Sequence, residues 1–323
     1  MTSRPPRETA GAFLLTAGAQ RCSNAAMIVR RRNITRRELL TAASAVALAG
    51  APDAHAKAAR PALFSAIGIT ASIDRAAELK ALGAKYIVES AAKFLIPFSS
   101  DSAFAANKAR ALAAPLPVRG CNSFLRDPTL ICVGPKADHP RVLEYAQTAF
   151  ARLQQLGGEY IVFGSNRARH IPDGWSKTQA DAQFIALLRQ MAPIAQRHGI
   201  TVGVEMQQRK ECNYLNFMQE VVNVVAPVDH PNIRVLADLF HMRVMGDTPR
   251  QLEQAMRWVG VVELAERAER TLPGVAGDDF RPYFAALARG GYRGLVDIEG
   301  DGTAEQLRNA FTTVATQARE ASL

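Results

Sequence analysis

Four short stretches in the second half of this 323-residue chain carry carboxylates at or near the end of an apolar run. TVGVEMQ carries Glu205, RVLADLF carries Asp238, VVELAE carries Glu263 and Glu266, and GLVDIEG carries Glu299. The matching places in earlier runs hold Glu89, Asn122 and Ser165, and His241 follows Asp238 by three residues. Taken singly, each of these carboxylates reads as a surface group or as the partner of an arginine. Brought to one place, they repel one another unless a cation or protons compensate them. An oxygen-rich set suits a hard divalent ion, Mn2+ or Mg2+, better than a thiolate-type zinc site does. A cation bridging a carbonyl and a hydroxyl oxygen stabilises an enediolate. One carboxylate can then remove a C–H proton while another returns one from the opposite side.

The elements that must position these groups repeat along the chain. Strands are expected at 62–69, 85–90, 117–125, 159–165, 201–207, 234–240, 261–266 and 294–300, with amphipathic helical patterns between them. Several of those helices close on a glycine, as in HPRVLEYAQTAFARLQQLG and DAQFIALLRQMAPIAQRHG. Strand and helix in strict alternation describe parallel strands with helical crossovers. Eight such units over residues 60–323, with no Pro/Ser-rich linker, match a single α/β domain, a (β/α)8 TIM barrel. In that fold the strand ends with the carboxylates share one mouth. An open doubly wound sheet should show a glycine-rich phosphate loop after an early strand, and IGITASID offers no G-x-G-x-x-G.

The formal charge of +9 suggests nucleic acid until it is located. Arg4, Arg7, Arg21, Arg30, Arg31, Arg32, Arg36 and Arg37 face only Glu8, Glu38 and Asp53 in residues 1–56, and the remainder is mildly basic. That segment reads TRRELLTAASAVALAGAPDAHA, with Arg36-Arg37, then Leu39 and Leu40, then Ala54-His55-Ala56 as an A-x-A cleavage site. It resembles a twin-arginine export signal cleaved after Ala56, which implies a periplasmic or otherwise exported protein. The run from Leu39 to Ala51 is too short to cross a hydrocarbon core of about 30 Å, so no stable membrane anchor is expected after cleavage. Met1 and Met27 both stand as candidate starts. Cys121, Cys132 and Cys212 leave an odd number, without metal-ligand spacing, beyond Cys22 in the leader.

VGVEMQQRKECNYLN, VLADLFHM, VVELAERAERTLPG and GLVDIEG, in that order and at one-strand spacing, resemble the xylose-isomerase-like barrel superfamily of sugar isomerases and epimerases over residues 62–318. The ketose 3-epimerase branch implies one divalent metal held by a Glu, an Asp, a His and a Glu. Glu205, Asp238 and Glu299 match the first, second and fourth. The resemblance makes Glu205 and Glu299 the acid/base pair. Gln208 and Glu211 match a polar amide and a substrate-binding glutamate, His241 a substrate-contacting histidine, and Arg270 an arginine that contacts substrate hydroxyls. The departure is V-E-L-A-E where the branch has a pattern like F-H-V-S-E. Glu263 thus stands in the place of the metal-binding His, as an acidic ligand or as a residue beside the metal.

GSNRARHIPDGW places Arg167, Arg169 and His170 in a loop after the fourth strand. They read as contacts to sugar hydroxyls or an anionic group, or as a surface turn. The expected activity is a divalent-metal-dependent sugar isomerase or epimerase on a non-phosphorylated small carbohydrate, because sugar phosphates are cytoplasmic metabolites. A homo-oligomer is compatible with the sequence. A 3-keto-glycoside lyase or hydrolase and a non-catalytic sugar-binding barrel are the alternatives. A repair endonuclease of the same superfamily binds three zinc ions through many histidines; this chain has six His, His55 among them in the leader.

Overall fold

Each expected apolar run forms a strand in the computed structural model, which describes residues 62–322. The strands are β1 (Ala66–Thr70), β2 (Ile87–Ser90), β3 (Val118–Asn122), β4 (Tyr160–Phe163), β5 (Thr201–Glu205), β6 (Ile233–Asp238), β7 (Val259–Leu264) and β8 (Leu295–Ile298). Neighbours pair in parallel in sequence order. β1 also pairs with β8, from Ala66↔Leu295 to Ile69↔Ile298, which closes the barrel. The (β/α)8 architecture expected from the alternation is therefore the fold of the chain. The described residues form one compact unit. The export segment expected at 1–56 lies outside the described residues.

The outer helices owe their position to apolar stripes. In the helix Lys177–His198, Phe184, Leu187, Leu188, Met191 and Ala195 are buried at helical spacing. Ser176 and Gln179 form a capping box at its start, and Gly199 ends it at φ 66°. On the strands, alternation separates two apolar layers. Val162, Leu236, Val261 and Leu295 pack together inside the barrel, whereas Val235, Val262, Val296 and Ile298 pack outward beneath the helices. The period of two carries the inward face onward from Leu236 to Asp238, from Val261 to Glu263, and from Leu295 through Asp297 to Glu299. The acids thus sit on the interior face, above an apolar plug.

Two tyrosines fill that plug because glycines face them. A Cβ on Gly68 would lie 2.3 Å from the Tyr86 ring, and one on Gly120 would lie 2.3 Å from the Tyr160 ring. The Tyr160 hydroxyl then donates to Asp297 Oδ1 at 2.6 Å, joining the plug to the acid layer.

The strands are mostly shorter than expected. The sixth, expected to run to Phe240, stops at Asp238, whose carboxylate accepts from the Phe240 N–H at 2.7 Å and the His241 N–H at 3.3 Å. The residue that ends the strand caps the helix Leu239–Met245.

Replacing Gly120 with Ala should destabilise the fold by about 1–3 kcal/mol through overpacking against Tyr160. A lower urea midpoint is the expected reading; an unchanged midpoint would show that the ring has room to move.

Candidate active site

Strand register sets the acids side by side. Asp238 pairs with Glu263 across β6 and β7, and Glu263 with Asp297 across β7 and β8, while Glu299 follows β8 one inward position higher. Carboxylate oxygens of Asp238, Glu263 and Glu299 lie within 4.8 Å of one another, and those of Glu205 and Asp238 lie equally close to a ring nitrogen of His241. Glu205, Asp238, Glu263 and Asp297 are 4%, 1%, 1% and 0% exposed, so water screens them little. Glu205 has room for its carboxylate only because β4 is followed by Gly164. A Cβ there would fall 2.0 Å from Glu205 Oε2.

Burial is the main cause of the shifts that follow. It pushes Glu205 and Glu263 well above the usual carboxylate range, with repulsion from Asp238 and Glu299 added for Glu205, and from Asp297 and Glu299 for Glu263. Burial lifts Asp238 to about 6 against the pull of Arg270, and lifts Glu299 to about 7 against the same pull. Asp297 rises to about 7 through burial, although hydrogen bonds with Glu263 and Tyr160 favour its ionised form.

A divalent cation would relieve this crowding, and the donor set fits one. Asp238 Oδ2 and Glu263 Oε1 are buried without a hydrogen-bond partner. A hard ion with oxygen ligands at about 2.0–2.1 Å spreads them up to roughly 4.2 Å apart, within the observed grouping. His241 behaves differently from these acids. The Gln208 N–H donates to its Nδ1 at 3.1 Å, so the ring proton resides on Nε2. Nε2 lies 3.5 Å from Asp238 Oδ2, 3.6 Å from Glu205 Oε1 and 3.8 Å from Glu211 Oε2. Burial, helped by the Arg270 charge, lowers its pKa to about 3 and keeps the ring neutral. In this tautomer the Nε2 proton faces the acids without a hydrogen-bond partner.

Arg270 supplies the counter-charge. Its guanidinium contacts Glu299, lies 3.5 Å from Asp238 Oδ2 and 3.5 Å from Glu211 Oε1, and covers the Phe240 ring at 4.7 Å. Burial alone would lower its pKa, but Glu299, Asp238, Glu263 and Glu205 together raise it. Its backbone reaches that place through two left-handed residues, Glu269 at φ 51° and Arg270 at φ 56°. Glu266 holds the loop in that shape. Its buried carboxylate accepts from the N–H groups of Gly274 at 2.7 Å, Gly277 at 3.1 Å and Asp278 at 3.0 Å, from that of Ala276, and from Thr271 Oγ1 at 3.0 Å. Glu266 is thus the support of the loop.

Glu205, Glu263, Glu299, Glu211 and Arg270 all line a cavity of about 160 Å3 at the barrel mouth. The other expected contacts are placed differently. Gln208 turns its amide to Glu211 at 2.9 Å, and Gln207 lines the cavity instead, with a buried Oε1 that has no partner. The reason is alternation, since Gln207 continues the inward face of Glu205 past the end of β5. His241 is fully buried beside the acids. Arg167 and His170 line a neighbouring cavity. Arg169 was expected to contact substrate but is fully buried, and its charge acts on Glu205 and His241. Glu89 is occupied by the N–H groups of Ile73 and Ser90, both at 2.8 Å. Asp297 in the acid layer and Arg126 at the mouth also escaped the sequence reading. The alternation of GLVDIEG could have revealed Asp297, two residues before Glu299 on the same face; nothing local marks Arg126.

A family model described as "Xylose isomerase-like TIM barrel" matches residues 73–317. The D-psicose 3-epimerase of Ruminiclostridium cellulolyticum is 32% identical over 113 residues, 35% of this chain and 38% of that protein. The L-ribulose 3-epimerase of Mesorhizobium japonicum is 28% identical over 172 residues, 51% of this chain and 55% of that protein. The chain thus spans less than two thirds of the length of these curated relatives. Among solved structures, the 3-keto-D-glucoside 4-epimerase YcjR from E. coli superposes with a TM-score of 0.65 at 18% identity, covering 77% of this chain and 98% of that one. At that identity the likeness is one of fold.

Carboxyls raised in the folded state hold protons that the unfolded chain releases, so their contribution to stability falls as pH rises from about 4.5 to about 7. Chelator-treated protein should therefore lose Tm across that window. Mn2+ or Mg2+ at a hundred times its Kd should restore roughly 5–10 °C at pH 7.5. A flat profile without an ion response would remove the cation site. Changing Glu266 to Gln should strand loop N–H groups at about 1–3 kcal/mol each, seen as faster proteolysis within residues 267–278 while far-UV circular dichroism stays unchanged. Equal cleavage rates would show that the loop holds itself.

Proposed function

Because the chain belongs to the xylose isomerase-like TIM barrel family, we propose that it is a divalent-metal-dependent sugar isomerase or epimerase that moves a proton next to a carbonyl. The carrying observation is that Glu205 and Glu299 enter one small cavity from strands three apart on a ring of eight, nearly facing each other. A cation held by Asp238, Glu263 and Glu299, with Glu205 beside them, would polarise neighbouring carbonyl and hydroxyl oxygens and acidify the C–H between them.

The residues of the chain then divide the work. Glu205 and Glu299 stand nearly opposite each other across the cavity, so one can act as base and the other as acid. One takes the C–H proton and the other delivers a proton to the opposite face. Arg270 and Gln207 offer donor and acceptor atoms to substrate hydroxyls from the cavity wall. His241, neutral and with its proton on Nε2, stands beside the carboxylates. Glu263, in the place where the epimerase branch has a histidine, adds negative charge to the ligand set. That favours Mn2+ or Mg2+ over softer ions.

The substrate proposed is a non-phosphorylated sugar or sugar derivative met after export through the twin-arginine pathway. A second reading, elimination from a 3-keto-glycoside, starts with the same proton abstraction. It is favoured by the space beside the site, which could hold a leaving group.

Glu205→Gln and Glu299→Gln should each slow deuterium incorporation from solvent into ketoses by about 10²–10⁴-fold. Product analysis by NMR separates epimer from eliminated fragment. Undiminished exchange in both variants would eliminate the acid/base pair.

A further inference from the structure

The cavity that holds the carboxylates is small. Ligand pockets usually measure about 300–1,000 Å3, and this one measures about 160 Å3. Next to it is a second cavity of about 620 Å3, with Asn166 and Glu211 as walls common to both. Apolar groups from Ile131, Val133, Pro135 and Pro172 line it, together with Lys136, Arg167 and His170. The side chains of Lys136 and Arg167 make no ion pair or hydrogen bond among the described residues. The one acid at the boundary, Glu211, is already engaged by Gln208 at 2.9 Å and Arg270 at 3.5 Å.

The second cavity is built into the fold. The loops after β3 and β4 that form it are tied to each other by Cys132 N–H to Ala168 O at 2.6 Å. Gln183, on the helix Lys177–His198, accepts from Gly134 N–H at 2.7 Å and donates to Gly134 O at 3.1 Å. Asn213 clamps Ile171 through its N–H and its carbonyl, both at 2.9 Å. A pocket held open in this way does not have to order its walls when a ligand binds.

We propose that this second cavity receives the other half of a two-part substrate: a flat, apolar group ending in a carboxylate, linked to the sugar that the acids hold. Apolar walls take the ring, and Lys136 and Arg167, otherwise without a counter-ion, take the carboxylate. The inference rests on the sugar reading of the neighbouring site, and it makes the preferred substrate an acidic aryl glycoside derivative in place of a free ketose.

Methyl, phenyl and 4-carboxyphenyl glucosides lack a carbonyl on the sugar ring, so they report binding without turnover. Calorimetric titration of the Mn2+-loaded protein should give affinities rising in that order, with the carboxyphenyl glucoside about tenfold or more above the methyl one. In the Lys136→Ala/Arg167→Ala double variant, the carboxyphenyl-to-phenyl ratio should collapse to within about twofold. Equal affinities, no binding of any glucoside, or a ratio that survives the double variant would each overturn the proposal. Deuterium exchange into free ketoses, which carry no second group, tests the epimerase reading separately. Exchange without carboxyphenyl preference sinks only the second cavity's role, and preference without exchange sinks only the epimerase reading.

Discussion

Five carboxyl groups, those of Glu205, Asp238, Glu263, Asp297 and Glu299, share the upper interior of the barrel, and their mutual repulsion is the constraint to which the site is built. Near a surface, water would screen such a set; here Asp297 and Glu263 have almost none. The charge is divided among three kinds of compensation. Protons are retained by the acids whose pKa values burial lifts, a guanidinium is brought in by Arg270, and a divalent ion fits among Asp238, Glu263 and Glu299. An acid layer that holds protons near neutral pH is also one that can give and take them, so the same crowding that costs stability prepares the chemistry.

The supports are arranged beneath and around that layer. Below, Tyr160 fits against Gly120 and donates a hydrogen bond from its hydroxyl to Asp297, fixing the lowest acid. At the side, His241 takes the Gln208 N–H on one nitrogen and presents the other to the acids. Above, the loop after β7 holds two consecutive left-handed residues to swing Arg270 inward, and the buried carboxylate of Glu266 gathers the loop's N–H groups to keep that shape. Glu263 and Glu266 are three residues apart, yet one faces the interior of the barrel and the other organises a loop.

Local pattern carried much of this into view. The eight strands were legible because β-branched runs and amphipathic helices alternate, and parallel pairing follows from helical crossovers. Glu205, Asp238, Glu263 and Glu299 were legible because they end apolar runs, and strand ends share a mouth in this fold. Gln208 and Arg169 show where that reasoning runs out. A strand-end pattern does not say at which residue alternation stops, and Gln207, not Gln208, continues the inward face. A basic loop sequence does not say which arginine turns into the protein, and Arg169 is buried while Arg167 faces a cavity.

The sequence by itself determined the barrel, the order of its strands and the acids at their ends, because these depend on periodicity and on residue type at each run's end. Tertiary structure alone decided how deeply each of those acids is buried, which nitrogen of His241 faces them, and that Arg270 reaches back among them. It also decided that a second, basic and apolar cavity stands beside the first. Those outcomes depend on distances across strands and loops far apart in the chain, such as Tyr160 to Asp297 and Arg270 to Asp238. Burial converts such distances into charge states, and no local window of residues contains them.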